Sequence, residues 1–168
     1  GMALIPNNGW ESGDAGGWTF TIGGGSNVLQ VESTDPRTGT YHLRITRGDG
    51  STAQATYSVS NYTDFLGARI TFSGYGKWVS GGGSCSLVID DGLTETTVAF
   101  NTGDTSYTKK SVTKTLDAAG TRLRFLFRMA NGGNTGTYRF DDMEVQVETW
   151  TGYLWVETTA LHYIDSTL

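Results

Sequence analysis

Cysteine is nearly missing from this chain: Cys85 is the only one in 168 residues. No disulfide can close within the chain and no thiolate metal cluster can be built. Leu87 and Ile89 follow Cys85 at period two, which places the thiol as a small apolar residue on a buried strand face. Proline is scarce, with only Pro6 and Pro36. Charge is sparse as well: 17% of residues are charged, the net charge is −5 and the pI is about 4.9. An acidic chain with no basic run lacks the electrostatic footprint of a nucleic-acid or anionic-membrane binder. No apolar run approaches the ~20 residues that cross a bilayer as a helix. His42 and His162 are far apart in sequence, and neither sits by a Ser or Cys in a nucleophile motif. G-x-S-x-G, H-E-x-x-H and phosphate-loop patterns are all missing. No carboxylate pair stands out as catalytic, so the expectation is a protein that is not an enzyme.

Glycine is what the chain has in excess, 24 residues, about twice the usual ~7%. Thr and Ser are abundant, and no amphipathic helix is visible. The length suits one domain with a sizeable core. Period-two alternation recurs at Trp18-Phe20-Ile22, Tyr41-Leu43-Ile45, Ala53-Ala55-Tyr57-Val59 and Ile70-Phe72. Asp91-Gly92 between Cys85–Asp90 and Thr94–Phe100 is a hairpin signal. Leu123, Phe125, Phe127 and Met129 alternate most cleanly, with Arg122, Arg124, Leu126 and Arg128 across the pleat. Nine or ten short strands with turn signals every ~8–12 residues predict an all-β fold, an antiparallel β-sandwich. Gly1 before Met2 reads as a residue left from a tag.

The stretch Thr137 to Val147 reads as a long strand whose phase slips. Tyr138 and Phe140 share one face; Met143, Val145 and Val147 fall on the other. The slip falls at Asp141-Asp142, which predicts a bulge or sharp twist there. Two adjacent carboxylates at a kink need water, a basic neighbour or an oxygen-seeking cation such as Ca²⁺ to relieve their repulsion.

Three segments, in order, resemble carbohydrate-binding modules of the family 4, 9 and 22 type. Leu4-Ile5-Pro6-Asn7-Asn8-Gly9-Trp10-Glu11-Ser12-Gly13 with Gly17-Trp18 resembles their opening, with Trp10 where the family has Phe. Thr38-Gly39-Thr40-Tyr41-His42-Leu43-Arg44-Ile45 resembles an inner strand. Leu123-Arg124-Phe125 and Gly136-Thr137-Tyr138-Arg139-Phe140-Asp141-Asp142-Met143 resemble their closing strands. The resemblance spans residues 4 to 147 and implies a galactose-binding-like β-jelly roll. It also implies a structural Ca²⁺ held by the carboxylates of Glu11 and Asp141 and a backbone carbonyl near Thr38.

By the same resemblance the chain is a non-catalytic module that recognises an oligo- or polysaccharide on its concave sheet. Arg124 and Arg128 match polar positions of the penultimate strand. The platform Trp of the family is missing or displaced after Phe72, which leaves Tyr75 and Trp78 as stacking candidates and Tyr107 as a further one. Aromatic faces suit the C–H faces of pyranose rings, while charged groups bind hydroxyls. The alternative is a structural or adhesion domain of a phage tail or other surface assembly with no free-sugar ligand. Either reading places the chain outside a cell or on a virion surface. The expected division is a jelly-roll domain over 2–148 and an aromatic-rich hairpin or connector over 149–168. Tyr153–Glu157 and Leu161–Asp165 are the expected strands of that hairpin, which would serve oligomerisation or a neighbouring module.

Overall fold

In the computed structural model, which describes residues 5–130 and 133–158, the chain folds as two stacked antiparallel sheets. Eleven strands run as β1 (Thr19–Ile22), β2 (Val28–Glu32), β3 (His42–Arg47), β4 (Ala53–Ser58), β5 (Arg69–Gly81), β6 (Cys85–Asp90), β7 (Glu95–Phe100), β8 (Thr108–Thr115), β9 (Arg124–Met129), β10 (Gly136–Trp150) and β11 (Trp155–Glu157). Sheet I has the order β1-β4-β9-β6-β7; sheet II has the order β2-β3-β10-β5-β8, with β11 added to the end of β10. The one helical element among the described residues is a 3₁₀ turn at Tyr62–Phe65. The predicted jelly-roll sandwich is the observed fold.

The core forms where the inner phases of both sheets meet. Phe125, Phe127 and Met129 of β9 face Ile70 and Phe72 of β5 and Tyr138 and Phe140 of β10, all 1% exposed or less. Phe127 anchors an aromatic cluster, with ring centroids 4.8 Å from Phe140, 5.6 Å from Trp18 and 6.0 Å from Trp10. Cys85 is fully buried as expected, and burial pushes its thiol far above the usual range. At ~25 cal/mol per Å² of apolar surface, these rings carry much of the drive to fold.

The phase slip in β10 is a bulge, but its effect is the reverse of a change of face. Asp141 pairs with Tyr75 and Glu144 with Ser73, so two residues of β10 oppose one of β5. Asp142 adopts φ 51°, a left-handed conformation tolerated by Asp more readily than by most residues. The extra residue restores the phase: Met143, Val145 and Val147 face the same core as Tyr138 and Phe140. The Met143 amide, freed from the ladder, donates to the carbonyl of Asn8 at 2.8 Å. The bulge therefore ties the last long strand to the start of the chain.

β10 continues without a break through residue 148 to Trp150. Trp155–Glu157 then folds back onto Glu148–Trp150. Arg69 joins this corner, lying 4.8 Å from the Trp155 ring and paired with Glu148. The expected second strand at Leu161–Asp165 lies outside the described residues.

Candidate functional site

The five residues predicted to bind a ligand are split between the two sheets. Tyr75 and Trp78 are on β5 of sheet II, and Tyr107 immediately precedes β8 of the same sheet. Arg124 and Arg128 are on β9, central in sheet I. A single groove holding all five is not formed. Period two gives the side of a strand a residue occupies but not the sheet to which the strand belongs.

On sheet II the three aromatics are already engaged. Trp78 shares the phase of Ile70 and Phe72 and packs on the core, donating its indole N–H to the Gly81 carbonyl at 3.0 Å. It closes the end of the sandwich and offers no outward platform. Tyr75 points outward, but the Arg37 guanidinium lies 3.5 Å from its ring centroid. Tyr107 donates its hydroxyl to the Asp35 carbonyl at 2.7 Å, and burial pushes its phenol above the usual range. Asp35 also accepts from Lys77 at 2.8 Å and Arg139 at 3.0 Å. Those partners, Lys77 first, hold its carboxyl below the usual range. The β2–β3 connection thus lies across the outer face of sheet II, pinned at Asp35 and Arg37.

The same connection receives the residues expected to hold calcium. Asp141 is 1% exposed, and its Oδ2 accepts from the amides of Arg37 at 2.8 Å and Thr38 at 3.1 Å. Burial, with Asp142 adding repulsion, pushes its carboxyl up to about 6 against the pull of those amides. Asp142 is matched by the Arg37 guanidinium at 2.9 Å and the Thr38 hydroxyl at 2.7 Å. Glu11 accepts from the amides of Thr40 at 2.9 Å and Tyr41 at 3.2 Å. Gly9 lies between these acids: a Cβ there would be 3.5 Å from Glu11 Cγ, 3.6 Å from Asp142 Oδ1 and 3.9 Å from Asp141 Oδ1. The donors are all oxygen, the kind a hard cation takes. Among the described residues, no group of three or more His, Cys, Asp or Glu side chains has metal-holding geometry.

Sheet I presents a different outer face, built in three rows. The first row runs Ser58, Arg124, Asp90, Glu95. The second runs Thr56, Leu126, Val88, Thr97, and the third Gln54, Arg128, Ser86, Ala99. Asp90 Oδ2 takes Arg122 Nε and Arg124 Nη2, each at 2.8 Å. Burial pushes the Asp90 carboxyl up, but the Gly92 amide and the two guanidinium groups outweigh it and hold it ionised below the usual range. Arg128 crosses the middle row to reach Glu95 with both Nη atoms, at 2.8 and 3.0 Å. Beneath that crossing, Leu126 and Val88 are fully buried although they face away from the core. The Thr56 hydroxyl beside them is buried and lacks a partner. Strand phase alone marked Leu126 as an outward residue among arginines. Thr56, Val88, Asp90 and Glu95 enter the face only through strand pairing, which one strand's pattern does not carry.

No family model matches the chain. Among solved structures, it superposes on the CBM22-1 xylan-binding domain of Paenibacillus barcinonensis Xyn10C with TM-score 0.66. The identity is 18%, over 90% of this chain and 97% of that one. The chain folds as a carbohydrate-binding-module jelly roll. TmCBM61, solved with β-1,4-galactotriose, gives TM-score 0.54 at 14% identity over 86% of this chain and 98% of that one. The tailspike protein 4 enzymatically active domain of bacteriophage CBA120 gives 0.65 at 11% identity, over 87% of this module and 21% of that chain. In sequence, the chain is 36% identical over 126 residues to a keratan-sulfate endo-1,4-beta-galactosidase of Sphingobacterium multivorum. That match takes in 75% of this chain but only 28% of the relative's length.

Proposed function

We propose that this module is a non-catalytic carbohydrate-binding domain, acting outside the cell, that holds a β-linked oligo- or polysaccharide across the outer face of sheet I. The carrying observation is the middle row there: an apolar strip of Leu126 and Val88 with an unpartnered Thr56 hydroxyl, flanked by Arg124 and Arg128. Those arginines are four residues apart, about 13 Å at ~3.3 Å per residue, longer than one sugar ring. A glycan would stack on the apolar strip and take hydrogen bonds from the arginines once Arg128 leaves Glu95. Galactosyl-containing chains are the first candidates, because the sequence relative is named for one and TmCBM61 was solved with another.

The carboxylates support a non-catalytic role. Asp90 and Glu95 are held ionised by arginine, which suits neither for proton donation. Asp141 is raised, but it is sealed beneath the β2–β3 connection. We also propose that Glu11, Asp141 and the Thr38 carbonyl hold a structural Ca²⁺, which would neutralise a buried carboxylate and join the chain's start to β10.

Isothermal titration against galactans, xylans and β-glucans tests the binding. Arg128→Ala should weaken the strongest ligand roughly tenfold, about 1.4 kcal/mol, with the fold intact. No heat with any glycan would favour the second reading, a domain of a surface assembly. That reading has its own support: the described strand residues on the outer face of sheet I include no aromatic. Trp150, Tyr153 and Leu154 are instead exposed together at the β10–β11 turn, at 54%, 90% and 53%.

A further inference from the structure

Arg47 ends β3 in the phase of Leu43 and Ile45, so it enters the sandwich where those residues are core. It is 2% exposed. A guanidinium taken out of water is ordinarily matched by a carboxylate, because an uncompensated buried charge is costly. Among the described residues Arg47 has no ion pair. It donates from Nη2 to the Asn134 carbonyl, and its Nε has no acceptor.

Two open cavities meet at this side chain. One, of about 300 Å³, is lined by Arg47, Gly83, Ser84, Ala130, Gly133 and Asn134. The other, of about 250 Å³, shares Arg47 and is lined also by Thr46, Ser80, Thr135 and Thr137. Two glycines that wall the first cavity bring the backbone close to the guanidinium. A Cβ on Gly133 would stand 2.5 Å from Nη2, and one on Gly83 3.4 Å.

We propose that this end of the sandwich is an anion subsite for a sulfate ester or carboxylate on a glycan. Arg47 supplies the buried counter-charge, and the Ser84 hydroxyl and Asn134 amide supply further donors. A planar guanidinium fork suits an oxyanion better than a lone carbonyl. The subsite lies between the sheets' ends, apart from the outer face of sheet I. Its glycan identity, though not its anion chemistry, rests on the carbohydrate reading above.

The test has two arms on the intact protein. In the first, sodium sulfate and sodium acetate are titrated separately into ¹⁵N-labelled protein. Shifts should concentrate at Gly83, Ser84, Gly133 and the Arg47 Nε–H, and should vanish in Arg47→Gln and Gly133→Ala. Shifts confined to Arg122, Arg124 and Arg128, or unchanged in a folded Arg47→Gln or Gly133→Ala protein, overturn the subsite. In the second arm, isothermal titration compares a neutral β-linked oligosaccharide with its mono-sulfated and uronic-acid counterparts. About tenfold tighter binding of one anionic form, lost in Arg47→Gln and reduced in Ser84→Val, supports the subsite and names the anion. Equal binding of all three overturns the subsite and leaves the carbohydrate reading standing. Anion-induced shifts at Arg47 with no oligosaccharide bound support the anion chemistry and sink the carbohydrate reading.

Discussion

The two outer faces of the sandwich are built from similar residues and organised in opposite ways. On sheet II the aromatics and charges are roofed by the chain's own β2–β3 connection, with Arg37 on Tyr75 and Asp35 among Lys77, Arg139 and Tyr107. On sheet I, among the described residues, the Arg128–Glu95 bridge crosses a buried apolar strip. A covered face has spent its hydrogen bonds on internal order. A face closed by one ion pair can be opened cheaply, since exposed pairs are worth ~0–1 kcal/mol.

Breaking sheet II should cost stability first. Trp78→Ala removes an inward ring and should destabilise the fold by roughly 3 kcal/mol, read as a lowered denaturation midpoint. A selective loss of sugar binding at unchanged stability would return Trp78 to the ligand site. Calcium comes next. At a hundredfold excess over its Kd, Ca²⁺ should add about 2.7 kcal/mol by mass action, visible as a rise in Tm that chelator reverses and Asp141→Ala abolishes. An unchanged Tm would leave the amides as the only partners of these acids.

The acid limb sharpens the contrast from the side of sheet I. Burial pushes the Asp91 carboxyl up, but the amides of Thr94, Asp117 and Leu93, with Lys114 nearby, win and set it at about 2. A depressed folded-state pKa stabilises above the unfolded value of 3.8 and is lost as pH falls through about 2. That shift is worth about 2 kcal/mol. Asp91→Asn should flatten the stability profile between those pH values; a parallel curve would refute the assignment. The smallest effect belongs to Tyr75→Ala, which should leave glycan affinity within about twofold while Arg128→Ala weakens it about tenfold (~1.4 kcal/mol). Equal losses would show that both faces are used.

Much of this was legible in the residues. The alternation of β9 marked its core and its arginines correctly, and the slip at Asp141-Asp142 marked the bulge. The direction of the correction was not legible, because a phase slip means a change of face only if nothing is inserted, and here one residue is. Trp78 could have been placed inward by counting from Ile70 and Phe72 at period two. Arg47 stood in the core phase of Leu43 and Ile45, a polar residue in an apolar register and so a signal in itself. The partners of Asp141 were out of reach of pattern reading, since the amides that cradle it lie 103 and 104 residues earlier in the chain.

Strand order has a consequence for how the chain is made. Among the described residues, β9 is the one strand linking β4 to β6 in sheet I, and β10 the one linking β3 to β5 in sheet II. Both follow β1 to β8 in the chain and are made after them. Until they arrive, the earlier strands form two unjoined halves of each sheet with open edges, exposed to pairing with neighbours on the same messenger. Contacts of such long sequence separation also make for slow closure. A nascent chain arrested just before Thr137 should therefore remain protease-sensitive, and release of β10 should convert it to a resistant fold in one step.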